Sequence, residues 1–104
     1  MRAVLERSGG FAGMRVTSSA DMSILSPDEA ELFQRLVKQA DFFTLPESII
    51  SKKPQPDRFQ YKLTVEDGEL LHTVTVGEEV MPASLRPLVD WLVRQPRRGN
   101  PNKT

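Results

Sequence analysis

The sequence predicts an α+β fold: a four-stranded antiparallel sheet, ββαββα in chain order, with two helices packed on one face. Three observations predict it. Phe59, Tyr61, Leu63 and Val65 alternate with Gln60, Lys62, Thr64 and Glu66, and Asp67-Gly68 leads into a return strand from Glu69 to Val76. That is a hairpin with one apolar face. Ser26-Pro27-Asp28-Glu29 then opens a helix in which Leu32, Phe33, Leu36, Val37 and Ala40 form one apolar stripe. Pro87 opens a second helix, with Leu88, Val89, Trp91 and Leu92 as its apolar residues. One apolar face per strand and one stripe per helix are satisfied together when both helices cover the same side of the sheet.

Residues 2–8 read as the first strand and residues 14–19 as its partner. Gly9 to Gly13 join them, too long for a two-residue turn, so a wide loop or a bulge is expected. Its Arg7-Ser8-Gly9-Gly10-Phe11-Ala12-Gly13 segment sets a bulky aromatic among glycines. Glycine gives the backbone access to φ > 0 and to close approach by another chain. Phe11 is either folded back into the core or presented to a partner. No phosphate-loop lysine and no G-x-G-x-x-G spacing accompanies it, which argues against a nucleotide site.

Ser26 is the expected N-cap of the first helix, with Pro27 at its first position and Glu29 reaching back to the cap amide. Leu25 is placed to staple against Ala30, and Glu31 and Arg35 are an i,i+4 ion pair. After the helix, Phe42 and Phe43 are expected to tuck under the domain. Residues 47–57 lack periodicity and read as a surface loop. In the hairpin, a two-residue Asp67-Gly68 turn sets Val65 opposite Leu70, Leu63 opposite His72, Tyr61 opposite Val74 and Phe59 opposite Val76. His72 then falls on the buried face as a neutral, hydrogen-bonded structural residue. Residues 1–95 are expected to be one domain, with Trp91 sealing its core, and residues 96–104 a disordered basic tail.

Composition excludes several functions. The chain has 104 residues, enough for one modest core, and its 14 basic and 14 acidic residues cancel. Global attraction to nucleic acid or an anionic membrane is not favoured. With no cysteine there is no disulfide, thiolate zinc site or cysteine nucleophile. His72 is the only histidine, and no H-E-x-x-H occurs. An enzyme, a metal site and a cofactor are therefore not expected. No N-terminal stretch resembles a signal peptide and none reaches membrane-spanning length, so a cytoplasmic location is expected, with export by another route left open; a monomer is also expected.

Three segments point together to a family. They are Arg7 to Gly13; Ala40-Asp41-Phe42-Phe43 with Leu45-Pro46; and Phe59 to Gly68 running through His72-Thr73-Val74-x-Val76 to Pro82-x-x-Leu85-Arg86-Pro87-Leu88-x-x-Trp91-Leu92. In order and spacing this set resembles the emfourin family, small bacterial protein inhibitors of thermolysin-like zinc metallopeptidases of the protealysin group. The resemblance runs from Val4 to Leu92. It implies a proteinaceous inhibitor without catalytic chemistry and a metallopeptidase as its partner.

Thermolysin-like peptidases favour a bulky apolar side chain just after the scissile bond. On that basis Phe11 is a candidate anchor, with Ser8, Gly9, Gly10, Ala12 and Gly13 allowing close approach and Arg7 and Arg15 meeting acidic groups on the enzyme rim. The hairpin tip Glu66-Asp67-Gly68-Glu69 is a second candidate, its carboxylates approaching the enzyme's zinc. Other classes stay open: a regulatory interaction module with a different target, a weak nucleic-acid binder using Lys52, Lys53, Arg94, Arg97, Arg98 and Lys103, and, least favoured, a hydrolase centred on His72.

Overall fold

The computed structural model describes residues 1–9, 15–52 and 58–95. In chain order they form β1 (Arg2–Gly9), β2 (Val16–Asp21), α1 (Pro27–Ala40), a 3-10 turn (Phe42–Thr44), β3 (Ser48–Ile49), β4 (Phe59–Asp67), β5 (Leu70–Gly77), a second 3-10 turn (Glu78–Val80) and α2 (Arg86–Val93). The fold is α+β with two helices, as the sequence predicts. The sheet differs: it has five strands in the order β2-β1-β4-β5-β3, and β3 pairs parallel to β5. The other pairings are antiparallel.

β3 is the strand that periodicity does not reveal. It is two residues long, Ser48 beside Thr75 and Ile49 beside Val76, inside the stretch expected to be a loop. Two residues cannot show an alternation. The strand exists because the chain leaving α1 crosses from the β2 edge of the sheet to the β5 edge. There the Thr75 N–H donates to the Glu47 carbonyl at 2.8 Å, and the strand continues from that bond.

The first hairpin is shifted from expectation. β1 runs to Gly9 and β2 covers 16–21 rather than 14–19. Met14, like the loop residues Gly10, Phe11, Ala12 and Gly13, lies outside the described residues. So do residues 53–57 of the expected loop and the tail from 96 to 104.

The second hairpin is also shifted, by two residues. Val65 lies opposite His72, Leu63 opposite Val74 and Tyr61 opposite Val76, with Asp67 opposite Leu70. The turn residues are therefore Gly68 and Glu69, not Asp67 and Gly68. Gly68 has φ +63 and Glu69 is not left-handed, so the glycine occupies the first central position of the type II′ kind. A slip of two leaves every side chain on its expected face, which is why the apolar pattern did not fix it.

The core lies between the helices and one sheet face. Ala3 and Leu5 of β1, Ala20 of β2, Tyr61, Leu63 and Val65 of β4, and Val74 and Val76 of β5 are buried against Phe33, Val37, Leu88, Val89 and Leu92 of the helices. α2 packs on β1 and β2, where the small Ala3, Ser18 and Ala20 are buried, and on α1. Trp91 is half-buried and stacks on Phe33 with ring centroids 5.3 Å apart and planes 18° apart, closing the seam between the helices.

Ser26 caps α1 by accepting from the Glu29 N–H at 3.3 Å. The Glu29 carboxylate returns to the Ser26 hydroxyl, which donates at 3.1 Å, rather than to the expected cap amide. Glu31 and Arg35 pair at 3.4 Å across one helical turn. α1 ends at Asp41, in the left-handed conformation (φ 51), and the sharp turn sends Phe42 into the core. α2 begins at Arg86, one residue ahead of the expected start, so Pro87 is its second residue.

Candidate functional site

The sheet has two free ends, and each carries one group of candidate residues. At the first end, Gly9 pairs with Phe59 and Gln60 with Gly77. Gly9 has φ +103, a conformation that side chains disfavour, and a Cβ there would sit 2.8 Å from the Arg58 carbonyl oxygen. That position admits only glycine, which explains part of the glycine density in the loop. Arg7 is half-buried, its guanidinium 4.6 Å from the centre of the Phe59 ring. It is held by a cation–π contact and is not a fully solvated charge. Ser8 pairs with Gln60 on β4. Arg15 is exposed, its Nε 3.9 Å from a Glu6 carboxylate oxygen. The Phe59 N–H donates to the Glu78 carboxylate at 3.0 Å, fixing the start of β4.

At the opposite end, Arg2 pairs with Asp21 on one side and Glu66 on the other. The Arg2 guanidinium donates to the Glu66 carboxylate at 2.6 Å. Glu66 is thus already engaged within the chain. Asp67 and Glu69 are exposed and form no ion pair among the described residues. Asp21 accepts from the Ser23 N–H at 2.9 Å and the Ser23 hydroxyl at 2.8 Å. These two bonds, backbone first, hold its carboxyl below the usual value of 3.8. A groove of about 470 Å³ opens beside this end, lined by Met1, Val37, Lys38, Asp41, Phe43 and Asp67 among others.

The two groups are not brought together. Seven residue steps along β4 separate Phe59 from Glu66, roughly 23 Å at about 3.3 Å per residue. Arg7, Ser8, Gly9 and Arg15 stand at one end, and Glu66, Asp67 and Gly68 at the other. Gly10, Phe11, Ala12 and Gly13 lie outside the described residues.

His72 is half-buried on the helix-covered face, its Nε2 donating to the Leu45 carbonyl oxygen at 2.7 Å and its ring edge-on to Phe42 with centroids 5.5 Å apart. That is the expected structural role, although its cross-strand neighbour is Val65 rather than Leu63. Among the described residues no group of His, Asp and Glu side chains is arranged to hold a metal ion. No described helix is long and apolar enough to cross a membrane.

Sequence reasoning passed over Leu70 and Leu71. They are 56% and 68% exposed, although both lie in a strand. The signal was present in the adjacent pair, since strict alternation would have placed a polar residue at one of the two positions.

No curated protein and no solved structure matches the chain. The sequence profile of the family described as Emfourin matches residues 5–93, from the buried Leu5 of β1 to the last residue of α2. The match runs from the middle of β1 to the end of α2 and takes in every other strand and both helices, and the chain belongs to the Emfourin family.

Proposed function

We propose that this chain is a protein inhibitor of thermolysin-like zinc metallopeptidases of the protealysin type, blocking the active-site cleft with one end of its sheet. The observation that carries the reading is membership of an inhibitor family over residues 5–93. The architecture supports it physically. A sheet buttressed by two helices fixes its strand ends before binding, which lowers the ordering cost of association. A standard interface of roughly 1,600 Å² is within reach of a body this size. No step in this mechanism needs a reacting group on the chain, and none needs a cofactor.

Two elements are candidates for entry into the cleft. One is the β1–β2 connection, Arg7, Ser8, Gly9, Gly10, Phe11, Ala12 and Gly13, with Arg15 behind it. The other is the tip Glu66-Asp67-Gly68. Because they stand at opposite ends, one enters and the other faces away. The test is to follow hydrolysis of a short peptide by a thermolysin-like peptidase against increasing inhibitor, with a serine peptidase in parallel. Loss of metallopeptidase activity alone is the expected result. Full activity of both enzymes would leave the alternative reading, an interaction module with a different target, in its place.

A further inference from the structure

We propose that the β5 side of the β4–β5 hairpin end is the element that enters the peptidase, with Leu70 and Leu71 as its apolar anchors, on a peptidase surface that binds extended chain beside an apolar pocket rimmed by positive charge. This rests on the inhibitor reading above and assigns the contact within it.

Three observations converge on these few residues. The first is apolar exposure. Single exposed leucines are ordinary on a protein surface. Here two are adjacent, each more than half exposed, and successive strand residues point to opposite faces. Leu70 projects on the helix-covered side and Leu71 on the open side, so the hairpin end presents an apolar group both ways. Core packing does not require either residue.

The second is a free edge. β3 pairs with β5 only at Thr75 and Val76. No strand pairs with the outer edge of β5 from Leu70 to Val74 among the described residues, but the segment from Phe42 to Glu47 lies beside His72 and Thr75, so the open stretch of that edge is Leu70 and Leu71. At Leu70 and Leu71 the outward backbone groups can pair with the end of an extended segment, the mode in which main-chain bonds give affinity and side-chain pockets give specificity. Peptidases hold substrate as extended chain, so such an edge is complementary to a substrate groove.

The third is charge. Asp67 and Glu69 flank Gly68 and have no ion-pair partner among the described residues. Lys38 lines the same groove as Asp67 without pairing to it. An acidic tip ahead of two leucines is complementary to an apolar pocket rimmed by positive charge. The type II′ turn at Gly68 keeps the tip narrow enough to enter a cleft.

The experiment compares inhibition constants on one thermolysin-like peptidase for the wild-type chain, Leu70→Ser, Leu71→Ser and Phe11→Ala, with the melting temperature of each. Both leucines are exposed, so the serine variants should melt close to wild type. The expected result is an inhibition constant at least tenfold weaker for one or both leucine variants, with Phe11→Ala within about threefold of wild type. Wild-type inhibition that both leucine variants reproduce would overturn the assignment while leaving the inhibitor reading intact. A wild-type chain that does not inhibit would overturn both. Asp67→Asn with Glu69→Gln adds a second readout: inhibition should weaken and lose part of its salt sensitivity. An unchanged salt response would contradict the charged rim.

Discussion

His72 Nε2 lies 2.7 Å from the carbonyl oxygen of Leu45, 27 positions earlier in the chain. This bond ties β5 to the segment that leads from the end of α1 to β3. A carbonyl can only accept, so the ring nitrogen carries the proton. Replacing His72 with Leu preserves bulk and leaves the carbonyl without its partner. The expected cost is about 1–3 kcal/mol, read as a lower urea midpoint at unchanged slope. An unchanged midpoint would show that the contact is incidental.

Gly9→Ala tests the first end of the sheet. The new Cβ meets the Arg58 carbonyl at 2.8 Å in a left-handed backbone. The conformational penalty alone is about 1–2 kcal/mol, and the clash adds to it. A drop of several degrees in melting temperature is expected. Gly68→Ala shares the positive φ but has nothing within 4 Å of its Cβ, so it should lose less.

Trp91→Ala removes the ring stacked on Phe33 between the two helices. Trp91 is only half-buried, so a cost toward the lower end of the range for large-to-small core changes is expected, about 3 kcal/mol. Calorimetry checks it. A loss under about 1 kcal/mol would place the helix–helix seam outside the cooperative core.

Asp21 supplies a pH dependence. Its folded-state pKa is lowered, chiefly by the Ser23 backbone N–H and then by the Ser23 hydroxyl. A depressed carboxyl contributes stability that is present above its ordinary value of 3.8 and is lost as pH falls through the folded value. Wild type should therefore lose more stability between pH 5 and acid than Asp21→Asn, at about pH 4 and below. Parallel pH profiles for the two proteins would contradict this.

Much of this fold was legible in the sequence. Ser26-Pro27-Asp28-Glu29 marked the start of α1, and alternation from Phe59 to Val65 marked β4, because caps and periodicity are local properties. What stayed hidden was non-local. β3 owes its existence to a bond between Glu47 and Thr75, and the hairpin register was degenerate because a two-residue slip keeps Leu63 and Val74 on the same face. The candidate site was legible as chemistry and not as geometry. The Gly9 region and the Glu66-Asp67-Gly68 tip each stood out by composition, but that they occupy opposite ends follows only from the pairing of β1 with β4. Leu70 and Leu71 were missed because an apolar residue in a strand is read first as core.

The most direct test mixes the folded chain with a thermolysin-like peptidase at increasing molar ratio, reading residual peptide hydrolysis together with the mass of the complex and the integrity of the chain. The account predicts activity falling to a floor near one inhibitor per enzyme, with a one-to-one complex containing uncut chain. Full activity at several-fold excess, or steady cleavage of the chain as a substrate, would contradict it.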